Sequence, residues 1–366
     1  MLSYFSVENF KNFKHKIEWN LISSNNYEFN TEAIQDGCIS KGIILGENAS
    51  GKSNFALALF DIIHHVTDKH KKEQLYINYS NLENENKEVT FQYKFLFDGK
   101  EVAYSYAKTS VSELLWERLI IEGKEVVSYD FVRNIGNTTL KGAETLNLIS
   151  DNKISRIKYI YSNTILESNE ENTLFNNFII FVEKMLMFYS LDTRGYQGLC
   201  MGTNDIADRI VRMGELEHFE EFLRRQGICY SLEAKEIDDK MGIYCQFGKR
   251  RINFFSIAST GTISLSLLFY WYIQMKNASF VFIDEFDAFY HFRLSKDIIL
   301  LLRELSNTQI FVTTHNTDLI SNDLLRPDCY FIISNDKIHA ISQNTDKELR
   351  KAHNLQKMYK AGTFDE

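Results

Sequence analysis

The stretch GENASGKS sets Gly46, Glu47, Asn48, Ala49, Ser50, Gly51, Lys52 and Ser53 directly after an apolar run, KGIIL, and directly before a long apolar stretch. It fits G-x-x-x-x-G-K-[ST] in the strand-then-helix context that this pattern needs. The glycines let successive backbone N–H groups turn toward phosphate oxygens, and the start of a helix favours negative charge. The Lys52 ammonium would neutralise β- and γ-phosphates, and the Ser53 hydroxyl would ligate magnesium. Without its flanking elements the same octet reads as a glycine-containing turn.

Three further segments carry groups suited to the same chemistry. In SFVFIDEFDAFYH, residues 279–291, a wholly apolar run reads as a buried parallel strand ending in two carboxylates. Asp284 would hold magnesium through water and Glu285 would polarise the attacking water. Alone, such a strand end serves equally well as a pair of solvated carboxylates. In IFVTTHNTDLI, His315 falls at the carboxyl edge of the next apolar strand, within reach of a γ-phosphate. An isolated histidine there is more often structural. In SIASTGTISLSLLFYWY, Ser259-Thr260-Gly261 opens an apolar helix, where Ser259 can cap and the free N–H groups can meet an anion. By itself this is no more than a helix cap.

The elements that must position these groups are readable in outline. Residues 2–13 alternate apolar and polar side chains as a half-buried strand, residues 41–45 form a short buried strand, and residues 54–66 form a buried helix with no breaker. Runs between Glu88 and Tyr129, separated by Asp98-Gly99-Lys100 and Gly123-Lys124, predict an antiparallel β meander. From Asn172 to Arg225 the pattern turns helical, through FNNFIIFVEKMLMFY and IADRIVRMGELEHFEEFLRR, and strand character returns at 243–247 and 252–255. The expected division is an N-terminal half of a nucleotide-binding head (1–139), a mainly helical insertion lobe (140–230) and a C-terminal half of the head (231–366).

Composition narrows the setting. The 366 residues, 44% hydrophobic and 25% charged, suit a globular chain with a sizeable core. A single proline, Pro327, and no low-complexity linker argue for one head with an insertion. Cys38, Cys200, Cys229, Cys245 and Cys329 are scattered without a CxxC pair, which supports neither a zinc ribbon nor a disulfide framework. The start lacks a signal-peptide core and the longest apolar run, 263–273, is too short to cross a bilayer, so a cytoplasmic protein is expected. A formal charge of −8 disfavours a whole-surface grip on nucleic acid, although Lys249-Arg250-Arg251 and the cluster from Lys69 to Lys72 offer local phosphate contacts. Such clusters also serve simply as solvated faces.

Taken in order, these four motifs resemble the ABC ATPase superfamily in its SMC, RecF and OLD-like branch. VENFKNFK looks like that branch's first strand, STGT its signature, DEFDAFYH its Walker B and D-loop, and TTHNTDLI its switch histidine. The chain is similar, closer still, to small AAA15-type ATPases of bacterial anti-phage systems (RloA/AbiL-like and PARIS-type), also through ERLIIEGKEV and the tail KMYKAGTF. The resemblance implies an α/β P-loop NTPase with an ABC-type head, made of a mixed core sheet and an N-terminal antiparallel meander, plus a helical lobe. It implies ATP and Mg2+ as ligands of residues 46–53, Asp284 for metal, Glu285 for water and His315 for the γ-phosphate. Ser259 and Gly261 would act in trans on ATP held by a second copy, so a dimer or larger assembly is implied. Lys11 and Asn12 occupy an element that can face nucleotide.

Some positions depart from the pattern. Thr260 replaces the usual glycine or acidic residue, His291 stands where relatives carry a D-loop aspartate, and Gln92 is a weak Q-loop candidate. OLD proteins carry a nuclease after the head, whereas about fifty residues follow His315, which implies no nuclease of its own. The leading expectation is an ATPase sensor or regulator in anti-phage defence, controlling a separate effector such as a nuclease. The alternatives are a RecF/SMC-like DNA-binding clamp and a scaffold that binds ATP with scant turnover, and no membrane partner is expected.

Overall fold

A computed structural model describes residues 1–69, 73–150, 153–189, 195–198, 206–288, 292–334 and 337–364. Strand β1 (Leu2–Glu8) forms but ends five residues earlier than expected, and it is buried on both faces rather than half-buried, with Ser3 and Ser6 each 3% exposed. Asn9 and Lys11 adopt φ of 63° and 48°, which breaks the strand and turns the fully buried Phe10 and Phe13 inward. β2 (Ile17–Asn20) folds back on β1, and the short pair β3 (Ile34–Gln35) and β4 (Cys38–Ile39) leads into β5 (Lys41–Leu45), buried along its whole length. α1 (Lys52–Leu59) follows the glycine-rich loop. The single helix expected to Val66 is interrupted, and α2 (Ile63–Val66) is a separate turn. The break carries Asp61 into the interior, where it meets Lys108 Nζ at 2.5 Å and the hydroxyls of Tyr79 and Tyr106 at 2.8 and 2.9 Å.

The meander forms as expected through β6 (Val89–Phe97), β7 (Lys100–Ser110), β8 (Glu113–Ile121) and β9 (Lys124–Asp130), and it extends beyond the expected stretch by β10 (Ile135–Thr138). Two of its turns are Asp98-Gly99, at φ 51° and 79°, and Glu122-Gly123, at 48° and 76°. Two positive φ values in succession match the right-handed twist of the flanking strands. The resulting sheet has the order β10-β9-β8-β7-β6-β1-β2. Its aromatic face covers α1, with the Tyr93 hydroxyl donating to the carbonyls of Ala58 and Leu59 at 3.1 and 3.2 Å.

Next come α3 (Arg156–Asn163), capped by Ser155, and α4 (Glu170–Glu183), capped by Asn169 with Glu170 and Glu171 in its first turn. The helical reading of MLMFY is overturned, because these residues form β11 (Met185–Tyr189). Met185, Leu186 and Met187 are fully buried, and a continuous apolar run suits a strand covered on both faces. β12 (Gly195–Gly198), α5 (Ile206–Arg212) and α6 (Leu216–Arg225) follow. A small sheet of β13 (Leu232–Ile237), β14 (Lys240–Phe247) and β15 (Arg250–Asn253) precedes the turn α7 (Phe254–Ile257), which takes the last residues of the strand expected at 252–255. β13 was not anticipated, since its mostly exposed side chains carry no strong apolar alternation.

The chain ends with α8 (Thr260–Met275), β16 (Phe280–Asp284), α9 (Phe292–Arg303), β17 (Gln309–Thr314), β18 (Tyr330–Ser334), β19 (Lys337–Ala340) and α10 (Leu355–Lys360). The core sheet runs β12-β11-β16-β17-β5-β18-β19. Its five central strands are mutually parallel, and only the two edge strands run antiparallel. The fold is therefore α/β, with a mixed core sheet, an antiparallel N-terminal sheet and the loop–helix connection of a P-loop NTPase between β5 and α1. The carboxyl ends of β16, β17 and β5 lie side by side, where ligands of such sheets collect. Among the described residues no helix is long and apolar enough to cross a membrane.

Candidate active site

The loop between β5 and α1 demands its glycines. Gly51 sits at φ 96°, and a Cβ there would come within 2.6 Å of Asn12 Nδ2 and 2.9 Å of the Phe13 ring. A Cβ on Gly46 would meet Ser50 Oγ at 2.5 Å and the Ile333 carbonyl at 2.7 Å. Asn12 also accepts from Asn54 Nδ2 at 2.7 Å, so the segment after β1 abuts the start of α1. Lys11 instead donates to the Ile77 carbonyl at 2.9 Å, and burial pulls its pKa down.

Lys52 is 5% exposed, and its ammonium donates to the carbonyls of Gly46 and Glu47 at 3.0 and 2.9 Å. Burial lowers its pKa while the nearby Glu285 and Asp284 carboxylates oppose that shift. The Ser53 hydroxyl donates to Asp284 Oδ2 at 2.6 Å, and the Thr313 hydroxyl donates to Asp284 Oδ1 at 2.7 Å. Burial raises the Asp284 pKa, and those two hydrogen bonds hold it back. The Thr313 oxygen in turn accepts from the Glu285 N–H at 2.7 Å. Glu285 Oε1 lies 3.2 Å from His315 Nε2, and His315 Nδ1 lies 3.5 Å from Lys52 Nζ. Lys52, His315, Glu285, Thr313, Asp284 and Ser53 thus close a ring at the carboxyl ends of β16 and β17 and the start of α1.

Two members of this neighbourhood were not singled out in the sequence. Thr313, fully buried, bridges the two carboxylate residues. Thr314 donates to Asp287 at 2.7 Å, and burial raises the Asp287 pKa. Glu285 has φ 46°, a left-handed conformation that costs a non-glycine residue on the order of 1–3 kcal/mol unless its surroundings hold it. Thr313 supplies that hold. A Thr313→Val variant is expected to lower kcat for phosphate release roughly 10–100-fold with little change in KM, and Thr313→Ser to restore it. Unchanged kcat alongside a lower Tm would reduce Thr313 to a packing role.

The other predicted residues lie apart. Ser259 caps α8, accepting from the Thr262 N–H at 3.2 Å, and among the described residues its hydrogen bonds stay within its own helix. Ser259 and Thr260 are exposed. Gln92 is placed mid-strand in β6, on the opposite side from the buried Phe91 and Tyr93, of which Tyr93 meets the Ala58 and Leu59 carbonyls of α1. It therefore faces away from the loop, which removes it as a Q-loop candidate. Arg251 pairs with Glu233 and Lys69 donates to the Glu183 carbonyl. His291, Cys200 and residues 70–72 lie outside the described residues, and Cys38, Cys229, Cys245 and Cys329 are free thiols. Among the described residues no cluster of three or more His, Cys, Asp or Glu forms a metal cage. The Ser53–Asp284 pair suits a cation that arrives with phosphates, as magnesium does.

Residues 217–321 match the family described as "AAA domain, putative AbiEii toxin, Type IV TA system". The match takes in Ser259, Gly261, Asp284, Glu285 and His315 and leaves out residues 46–53. No protein of curated function matches the chain. Among solved structures the chain is similar to an SMC head domain from Thermotoga maritima, at 16% identity over 92% of this chain and 97% of that one, with a TM-score of 0.43. It is also similar to an Smc head bound to the C-winged helix domain of ScpA, at 16% identity over 92% and 96%, TM-score 0.48. A third is an Smc head domain with an extended coiled coil bound to the C-terminal domain of ScpA, derived from Pyrococcus furiosus, at 15% identity over 93% and 97%, TM-score 0.47.

Proposed function

We propose that the chain binds ATP with magnesium at residues 46–53 and hydrolyses it. The observation that carries this reading is the closed ring of Lys52, His315, Glu285, Thr313, Asp284 and Ser53. A phosphate entering it would take Lys52 from the Gly46 and Glu47 carbonyls, exchanging two neutral acceptors for charged ones. Ser53 and Asp284 would hold magnesium, which when bound draws charge from the phosphate oxygens and offsets the repulsion between nucleotide and carboxylates. Glu285 accepts a proton from the attacking water, and His315, hydrogen-bonded to it, donates to the γ-phosphate as negative charge builds there.

Ser259 and Gly261 act on nucleotide held by a second copy in this reading, which is consistent with the exposure of Ser259 and Thr260 at the start of α8. ATP would join two heads, and this assembly would control a separate effector in anti-phage defence. The test combines magnesium-dependent phosphate release with light scattering. Purified protein is expected to release phosphate from ATP only with magnesium and to double in mass with ATP bound. Absence of magnesium-dependent release would overturn the enzyme, and a monomeric mass at saturating ATP would overturn the composite site.

A further inference from the structure

Glu285 and Asp287 leave β16 together, yet the backbone sends their carboxylates to different places. β16 and β17 run parallel with Ile283 beside Val312, so continued pairing would set Glu285 beside Thr314. Instead the φ of 46° at Glu285 ends the pairing and turns the chain across the end of β17. Phe286 N then donates to the Thr313 carbonyl at 3.2 Å, and Ala288 N closes a turn on the Glu285 carbonyl at 3.1 Å. Phe286, at 3% exposure, pins this turn to the interior.

Asp287 is thereby brought to the residues that follow β17. Its carboxylate accepts the Thr314 hydroxyl at 2.7 Å, and the Asn316 side chain bonds to it as well. Burial raises its pKa, while these two bonds and the neighbouring His315 oppose that shift. Thr314 is fully buried, and its oxygen also accepts from the Asn316 N–H at 2.9 Å. Asn316 Oδ1 accepts from the Asp318 N–H at 3.0 Å and caps the short 3₁₀ turn Thr317–Leu319, which leaves the NH2 group of that amide for Asp287. His315 is the residue between these two anchors. Its own ring contacts are long, 3.2 Å to Glu285 Oε1 and 3.5 Å to Lys52 Nζ, and its side chain is 37% exposed. A ring held so lightly takes its place from the backbone that carries it.

We infer that Asp287 is the positioning residue for His315. By bonding to the residues on either side, its carboxylate fixes the backbone from which the imidazole reaches Glu285 and the γ-phosphate. The inference rests on ATP hydrolysis in the ring. Asp287 itself meets neither phosphate nor attacking water in this role and acts through His315. A misplacement of about 1 Å at a reacting group costs on the order of 10²-fold in rate, so a carboxylate one step removed from the chemistry has a large lever on it.

Asp287→Ala is expected to lower kcat for phosphate release roughly 10–100-fold and to leave KM for ATP within about twofold. Added to His315→Ala it should cost nothing further, because the group through which it acts is gone, whereas a general loosening of the site would multiply the two losses. A second readout needs no turnover. In the ligand-free chain, the imidazole resonance that is missing from the His315→Ala spectrum is expected to move and broaden in Asp287→Ala. It should move less in Asp287→Asn, which keeps an acceptor for Thr314 and serves as the test should the alanine variant not fold. Unchanged kcat, multiplied losses in the double variant, or a His315 resonance that stays in place would each overturn the inference and leave the ring standing. Absence of magnesium-dependent release by the unaltered chain would instead overturn hydrolysis, and the spectrum would still decide whether Asp287 places His315.

Discussion

A Glu285→Gln variant is expected to release phosphate roughly 10²–10⁴-fold more slowly than the unaltered chain while still holding ATP, as befits loss of a general base. Glutamine keeps the size of the side chain and a partner for His315 Nε2, 3.2 Å away, and it leaves the backbone bond from residue 285 to Thr313 intact. Lys52, Ser53 and Asp284 are untouched, so the ligand stays and only the proton acceptor is lost. Nucleotide should then accumulate unhydrolysed, and the larger assembly should persist with it. Lys52→Ala has the opposite signature, with ATP affinity lost and no trapped complex, because a buried ammonium that faces the loop carbonyls is removed. The pair is read by single-turnover phosphate release and by bound nucleotide after gel filtration. Release by Glu285→Gln within threefold of the unaltered chain would remove Glu285 from its role.

Why part of this site was readable in advance follows from what each residue encodes. Gly46 and Gly51 answer to backbone geometry and close contacts, so their spacing carries structural information by itself. The apolar strands that end in Asp284 and before His315 were likewise legible, since a continuous buried run stops where polar atoms begin. Thr313 was not, because a threonine in a strand reads as a β-branched core residue and its two hydrogen bonds exist only once β16 and β17 are in register. The same limit hid β11, whose apolar run of five matches either a buried helix turn or a buried strand.

Loss of the buried cation under α1 is expected to be the most damaging change away from the ring: Lys108→Ala should destabilise the fold by about 3–5 kcal/mol. Lys108 and Asp61 are both 0% exposed and 2.5 Å apart, so removing the ammonium strands a carboxylate in the interior. The hydroxyls of Tyr79 and Tyr106 would remain as its donors, and burial, with the Asp61 charge adding to it, raises both phenol pKa values well above the ordinary range. They therefore stay protonated, but two neutral donors do not replace a counter-ion. Asp61→Leu with Lys108→Met should cost much less than Lys108→Ala alone, since a well-packed apolar pair needs no partner charge. Urea unfolding of the three proteins separates these cases, and a loss below 1 kcal/mol for Lys108→Ala would show that water reaches Asp61. The consequence extends to the proposed nucleotide site: α1 begins with Lys52 and Ser53 and ends two residues before Asp61, so this ion pair anchors to β7 the same helix that presents the ammonium proposed to bind phosphate. Lys108→Ala should accordingly raise KM for ATP under conditions where the protein is still folded, whereas the Leu/Met pair, which restores the anchor by packing, should not.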